Sequence, residues 1–221
     1  MEPLHAPDNR RPADDGPVVY LVDDEPKAVQ AMCRLLVAEG HRVSTFDSPH
    51  AFLGVATAEL DGCLVLDMQM PGLNGLDVQD RLRQTGCTLP VIFLTGHGDV
   101  SSSVRAMKAG AVDFLCKPVQ DRELFGAIQR ALERNAAERD ERRRQEDIRR
   151  RERTLTPRER EVFSLVVTGL LNKQIAALLG TAEKTIKVHR RRVMDKMGAG
   201  SLAQLVRMAG ALEDSRRSTT A

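Results

Sequence analysis

CLVLDMQMPG, residues Cys63 to Gly72, joins an apolar run to a single carboxylate and an immediate breaker. Leu64, Val65 and Leu66 lead into Asp67, and Pro71-Gly72 follows within five residues. Apolar runs of four to eight residues bounded by breakers suit strands buried on both faces of a parallel sheet. In open α/β sheets, ligands and chemistry gather just beyond the carboxyl ends of such strands. Asp67 is therefore a candidate reactive acid where a strand hands over to a loop. For a lone Asp at such a place, capping a turn or helix is the commoner role. Partners from other strands decide between the two.

Similar runs lie on either side. VVYLVDDE (Val18–Glu25) ends on Asp23 and Asp24, LPVIFLTG (Leu89–Gly96) on Thr95, and Val112–Cys116 on Lys117-Pro118. His41–Phe46 alternates like a short strand. Between them, helical spacing predicts helices from Pro26 to Gly40, from a Ser48 cap through Ala58, over Asn74–Gln84, and over Val100–Ala109. A further helix begins near Asp121, with Leu124, Phe125, Ile128 and Leu132 turned to the sheet. Five strands alternating with helices over residues 18–137 imply a doubly wound, flavodoxin-like (βα)5 domain with right-handed crossovers.

In that fold Asp23, Asp24, Asp67, Thr95 and Lys117 all reach one rim. Three carboxylates share a small volume only if a cation neutralises them. An all-oxygen ligand set from Asp23, Asp24 and Asp67 fits Mg²⁺ (or Mn²⁺), with waters completing an octahedron. Lys117 adds a point charge and Thr95 a hydroxyl donor, a combination suited to a phosphoryl group. Asp67 is then the nucleophile that forms an aspartyl phosphate.

Composition sets further bounds. The 221 residues allow two ordinary domains, and 42% hydrophobic with 29% charged residues describes a folded, water-soluble chain. There is no Trp and one Tyr, which argues against stacking platforms for single-stranded nucleic acid. Cys33, Cys63, Cys87 and Cys116 form no CxxC pair, which argues against a zinc module and suits a reducing cytosol. Cys116, beside Lys117, is expected inside the sheet, with redox sensing as an alternative. No apolar run is long enough for a membrane span or a signal peptide. Residues 1–137 carry a net charge of −6 and residues 138–221 a net of +8, so the rear of the chain should face a polyanion.

Residues 1–17, with Pro3, Pro7 and Pro12, read as a disordered lead-in. In residues 138–154 the helix begun at Asp121 continues as a charged linker: 14 of the 16 residues Glu138–Arg153 are charged, with no Gly or Pro to stop it. Four acid-before-base pairs at i,i+4 (Glu138/Arg142, Asp140/Arg144, Glu146/Arg150, Asp147/Arg151) support it by roughly 0.2–0.5 kcal/mol each. A coiled-coil dimer is the alternative, but the heptad continued from Phe125, Ile128 and Leu132 lands on Asn135, Arg139 and Arg142, and Ile148 alone makes no seam.

Residues 155–213 read as a small all-α domain. Thr156 caps, Pro157 fills the first turn and Glu159 completes a capping box for a helix to about Thr168. Asn172–Leu179, a turn at Gly180, Ala182–Met197 and Ser201–Leu212 follow, and residues 214–221 read as a disordered tail. Two short helices joined at a Gly-containing turn signal a helix-turn-helix. On its second helix Lys184, Lys187, Val188 and Arg191 share a face, while Ile186, Val193 and Met197 share another and pack inward. Lys187 and Arg191 can reach guanine O6/N7 and Val188 a thymine methyl. Lys184, Arg190, Arg192, Lys173 and Arg158 are expected on phosphates. A merely solvated basic helix would show the same charges.

Asp23-Asp24, the Asp67-Met68-Gln69-Met70-Pro71 run with Gly75, Thr95-Gly96, and Lys117-Pro118 with Phe114 three residues before the lysine resemble a two-component receiver domain. The resemblance covers about Val18–Arg134, and LTGHGDV with RAMKAGAVDFL is most similar to the FixJ/NarL group of response regulators. It implies that Asp67 takes phosphate from a sensor histidine kinase and that Asp23, Asp24, Asp67 and the Gln69 carbonyl hold Mg²⁺. Lys117 would contact the phosphoryl group, while Thr95 and Phe114 would act as the switch. A cis Lys117–Pro118 bond is also implied. Gln69 and His97 stand at positions that tune phosphate lifetime in the family, and Phe114 stands where Tyr is also common.

The run LTPREREVFSLVVTGLLNKQIAALLGTAEKTIKVHRRRVMDKMG from Leu155 resembles the LuxR-type DNA-binding domain. By position, Lys187, Val188 and Arg191 match that family's base-reading residues. Thr156, Asn172, Lys173, Thr185 and His189 would support the fold or touch the DNA backbone. The family's fourth helix dimerises, which would use Leu202, Leu205, Val206 and Ala209, although the same stripe suits ordinary core. Together these resemblances imply a bacterial, cytoplasmic regulator of transcription switched by phosphorylation. It would form a homodimer on activation, bind double-stranded DNA and have RNA polymerase as a further partner. The receiver would catalyse only its own phosphorylation and dephosphorylation. Two other readings remain: an Asp-nucleophile phosphohydrolase, which wants an acid where Gln69 stands, and a regulator whose DNA binding ignores phosphate.

Overall fold

The computed structural model describes residues 16–96 and 100–218, which divide into two compact units at Glu138/Arg139. The lead-in falls largely on residues 1–15, and His97 on 97–99, outside the described residues. In the first unit, β1 (Val18–Val22), β2 (Arg42–Phe46), β3 (Gly62–Asp67), β4 (Val91–Thr95) and β5 (Asp113–Cys116) form one parallel sheet. Its order, β2-β1-β3-β4-β5, is that of the flavodoxin-like doubly wound fold.

The apolar runs explain the layering. Alternate residues of a strand point to opposite faces, so runs apolar throughout bury both. Val19, Leu21, Cys63, Val65, Ile92 and Leu94 build one core, together with Leu36 of α1 (Pro26–Ala38) and Leu124, Ala127, Ile128 and Ala131 of α5 (Asp121–Arg153). Tyr20, Val22, Leu64, Leu66 and Phe93 build the other, against α2 (Pro49–Leu53), α3 (Gly75–Gln84) and α4 (Val100–Lys108).

Local chemistry sets the helix ends. The Asn74 side chain accepts from Asp77 N at 3.0 Å, and Asp77 reaches back to Asn74 N at 3.4 Å. Ser48 caps α2 as expected, with Ala51 N donating to its Oγ at 3.3 Å. The helix stops at Leu53 rather than running to Ala58, because Gly54 closes it and the β-branched Val55 and Thr57 favour extended backbone. The 33-residue α5 contains the whole of Glu138–Arg153. Of the four i,i+4 pairs anticipated there, Asp147–Arg151 forms at 2.8 Å. Asp140–Arg143, Glu141–Arg144 and Asp147–Arg150 close at i,i+3.

The second unit is all-helical: the end of α5, then α6 (Pro157–Val167), α7 (Asn172–Leu178), α8 (Glu183–Met197) and α9 (Leu202–Ser218). Val162, Phe163, Val166, Ile175, Ile186, Val193, Met197 and Leu205 are its core. Ile148, isolated as a coiled-coil residue, packs against this core, and Arg151 donates to Met197 O at 3.0 Å. The last turns of α5 thus serve the small domain. α8 ends at Gly198, whose φ of +66° closes a left-handed cap that other residues rarely adopt. α9 continues to Ser218, six residues past the end expected from its apolar stripe, so the tail expected from residue 214 is helical there.

Candidate functional site

Parallel pairing brings the ends of β1, β3, β4 and β5 to one rim, and the polar residues that follow each apolar run meet there. Asp23, Asp67 and Thr95 are buried, with 2%, 6% and 1% of their surface exposed. Lys117 Nζ lies 2.7 Å from Asp23 Oδ2 and 3.3 Å from Asp67 Oδ1. Asp23 Oδ1 also accepts from Glu25 N at 2.8 Å, which leaves little rotational freedom in that carboxylate. One oxygen from each of Asp23, Asp24 and Asp67 lies within 4.8 Å of the other two. Asp24 is exposed and Gln69 stands exposed two residues past Asp67.

The loop after Asp67 is held tightly. Met68 N donates to Leu94 O at 2.8 Å and Gly75 N to Met68 O at 3.0 Å. A Cβ at Gly75 would sit 2.8 Å from Phe93 Cε1 and 3.1 Å from Asp67 O, so any larger residue would push on the β3 end itself. Phe93 continues this contact to the half-buried Phe114, with ring centroids 6.4 Å apart. Lys117 N donates to Thr95 O at 2.7 Å, and the Lys117–Pro118 bond is cis, as the resemblance implies.

Electrostatically, the rim is strained in one direction. Burial raises the Asp67 pKa above its ordinary value; Lys117 opposes this and the Asp23 charge adds to it. Burial also disfavours the Lys117 ammonium, but its hydrogen bond to Asp23 and the charges of Asp67 and Asp23 outweigh that and hold its pKa up. The rim therefore has a fixed cation, a carboxylate whose pKa burial raises, and oxygen ligands that suit Mg²⁺ in type. Cys116 is exposed rather than buried, because β5 is the sheet edge and has no neighbour beyond it.

On α8, Ile186, Val193 and Met197 are fully buried, while Lys184, Thr185, Lys187, Val188, Arg191 and Arg192 are exposed. Val188 keeps 46% of its surface, an apolar side chain held out between cations. Arg191 pairs with Asp195 at 3.9 Å in an exposed i,i+4 ion pair. Two residues expected on phosphates are used inside the domain. Arg190 donates to Asn172 Oδ1 at 3.2 Å, and Arg158 to Leu179 O at 2.9 Å and Glu161 at 2.7 Å. Lys173 is exposed, Thr156 caps α6, and His189 is half-buried. In the α9 stripe, Leu205 and Ala209 are core, with 0% and 8% exposed, so they cannot meet a partner without unpacking the domain. Leu202 and Val206 stay at the surface, 37% and 42% exposed.

Residues 19–129 match the response regulator receiver domain, and residues 153–209 the bacterial regulatory proteins of the luxR family. The chain belongs to the LuxR-type response regulators. It is 45% identical to nodulation protein W of Bradyrhizobium diazoefficiens, over 88% of this chain and 86% of that one. It is 44% identical to the transcriptional regulatory protein FixJ of Rhizobium meliloti, over 86% and 94%. Among solved structures it resembles the response regulator StyR (TM-score 0.81, 43% identity, 89% of this chain and 99% of that one). It also resembles full-length FixJ from B. japonicum (0.55, 38%, 89% and 97%). The family is one of regulators. Its receiver implies a histidine-kinase partner, and its luxR-family domain implies DNA binding. No helix among the described residues is long and apolar enough to cross a membrane.

Three features escaped the sequence reading. Lys196 Nζ lies 2.6 Å from the buried Glu159, 37 residues away, and 3.0 Å from Thr154 O. Asn135, 1% exposed, donates to Asp61 at 2.5 Å. Ile148 and Arg151 belong to the second unit. The only local hint was Asn135 itself, a polar residue at a position where the apolar stripe of α5 asks for another Leu or Ala.

Proposed function

We propose that Asp67 accepts a phosphoryl group from a phosphohistidine of a sensor kinase, and that this phosphate switches DNA binding by α8. The observation that carries the reading is the convergence of Asp23, Asp24 and Asp67 on one point with Lys117 held between two of them. In the transfer, an Asp67 carboxylate oxygen attacks phosphorus. The P–O bond to Asp67 forms as the P–N bond to the kinase histidine breaks, and the imidazole leaves. Lys117 neutralises the phosphoryl oxygens, and the Thr95 hydroxyl donates a hydrogen bond to one of them. Asp23, Asp24, Asp67 and the Gln69 carbonyl would hold Mg²⁺. When bound, the ion supplies the positive charge that lets three carboxylates and a phosphoryl group share the rim. Phe114, touching Phe93 behind the Asp67 loop, is the side chain through which the change is read.

Phosphorylation favours a homodimer, and two α8 helices then enter major grooves about one DNA turn, roughly 34 Å, apart. Lys187, Val188 and Arg191 read bases, while Lys173, Thr185, Lys184 and Arg192 meet the backbone. Leu202 and Val206 are the α9 residues available to a dimer partner. The regulator acts in the cytoplasm, with RNA polymerase as its downstream partner.

Acetyl phosphate with Mg²⁺ should add one phosphate per chain by mass spectrometry, and Asp67→Asn should add none. An unchanged mass gain in the variant would rule out Asp67 as the acceptor. On DNA, Lys187→Ala should relax preference at one base pair, by about 1–3 kcal/mol, and Lys173→Ala should weaken all sequences alike. Equal loss of discrimination in both would overturn the assigned faces.

A further inference from the structure

Six polar or charged residues are buried among the described residues: Asp23, Asp67, Gln79, Thr95, Asn135 and Glu159. Three belong to the rim, Glu159 belongs to the α6 cap, and Gln79 donates to Ala109 O at 3.1 Å. Asn135 has no such local explanation. It lies on α5, and its Nδ2 reaches across 74 residues to Asp61 Oδ1 at 2.5 Å. Asp61 immediately precedes β3, the strand that ends on Asp67. Asp61 O also accepts from Val18 N at 3.0 Å, so its backbone is fixed where β3 and β1 begin.

The rest of the α5 contact is smooth. Leu124, Ala127, Ile128 and Ala131 form a stripe at helical spacing, and two of the four are alanines. Apolar packing of this kind is tolerant of a slide or a rotation, because one aliphatic surface replaces another at little cost. A buried amide is not tolerant: moving Asn135 by one turn leaves its donor without an acceptor, which costs the desolvation of an unpaired polar group. A single buried Asn in a helical seam fixes register in this way while contributing little to stability. The helix that carries Asn135 enters, three residues later, the charged segment Glu138–Arg153, which from Arg139 on belongs to the second unit.

We propose that the Asp61–Asn135 hydrogen bond is the positioning contact that holds α5 in one register on the foot of β3, and that phosphate-dependent DNA binding requires it. β3 is buried along its whole length, with the acceptor at one end and the Asp61 latch at the other. A change at Asp67 that strains β3 therefore meets a helix that is pinned rather than one free to slip. The inference rests on the phosphorylation reading of Asp67 given above.

The experiment uses full-length protein and the operator fragment recovered by selection, with affinity measured with and without acetyl phosphate and Mg²⁺. Wild type should gain at least tenfold on phosphorylation. Asn135→Leu should phosphorylate at Asp67 normally by mass, yet its gain should fall to within about twofold of none. Asn135→Asp, which sets two carboxylates against each other, should also lose the gain. The swap Asp61→Asn with Asn135→Asp restores one donor and one acceptor and should recover it. A merely structural role would change the unfolding midpoint of Asn135→Leu and leave the gain intact, and that result overturns the proposal. So does a swap that folds but fails to recover the gain. A wild-type protein with no gain at all would instead refute the phosphate switch itself.

Discussion

Asp67 and Glu159 are both buried carboxylates, 6% and 3% exposed, and each has a lysine against it, yet their acidities move in opposite directions. Glu159 lies 2.6 Å from Lys196, accepts from Thr156 N at 2.9 Å, and is held down to about 2 from an ordinary 4.5, chiefly by the lysine hydrogen bond. Asp67 lies 3.3 Å from a lysine that is closer to Asp23, and burial with that second carboxylate raises it from 3.8. Glu159 has every charge it needs inside its own domain. Asp67 is left short of positive charge, which suits the proposed role of binding a cation and then phosphate. The difference separates a carboxylate that holds a fold together from one that the fold holds ready.

The largest effect expected from this contrast is at Lys117. Lys117→Met removes the cation that lies between Asp23 and Asp67 and leaves the two carboxylates facing each other. Phosphorylation by acetyl phosphate should slow by about 10²–10³-fold, the usual cost of deleting one charge-stabilising group. A rate within threefold of wild type would mean the lysine belongs to the structure, as Lys196 does.

Next in size is the structural carboxylate. Glu159→Gln keeps an oxygen that can accept from Thr156 N but loses the charge-assisted hydrogen bond from Lys196, and should cost the second unit about 1.5–3 kcal/mol by native-state hydrogen exchange in α6 and α8. Phosphorylation at Asp67 should be unchanged. An exchange pattern equal to wild type would place the stability of α6 elsewhere.

Acid then sharpens the comparison through its sign. The Glu159 pKa is depressed on folding, so its contribution is present above pH 4.5 and is lost as pH falls towards about 2. The Asp67 pKa is raised, so the folded state favours its protonated form, and its ionisation opposes folding once pH rises above 3.8 and through the raised value. At pH 7, Glu159→Gln should be less stable than wild type and Asp67→Asn more stable. Both differences should shrink as pH falls, and two differences of the same sign would show that the carboxylates share one environment.

Much of this was legible before any coordinates. The rim could be read because each apolar run ends on its polar residue, and a parallel sheet must bring those ends together. The α8 faces could be read because Ile186, Val193 and Met197 alternate with Lys184, Lys187 and Arg191 at helical spacing. Pairs made only by tertiary folding could not. Nothing local links Lys196 to Glu159 or Asn135 to Asp61, and a guanidinium such as that of Arg158 can reach a phosphate or a carbonyl equally well. The α9 stripe was ambiguous for another reason: periodicity says that a face is apolar, not whether its own domain or a partner covers it. Leu205 and Ala209 went to the core, Leu202 and Val206 to the surface.

The smallest expected effect sets the limit of the comparison. Asp147 is also held below its ordinary value, chiefly by a hydrogen bond from Arg150, with Arg151 at 2.8 Å on its other oxygen. By acidity alone it resembles Glu159, but a third of its side chain and most of that of Arg150 are exposed, so water stabilises these ions unpaired almost as well as paired. Asp147→Asn should leave the unfolding midpoint unchanged within error at physiological salt, and any difference at low salt should vanish as ionic strength rises. A loss as large as that of Glu159→Gln would mean that the lowered acidity, rather than burial, is what makes a carboxylate matter to this fold.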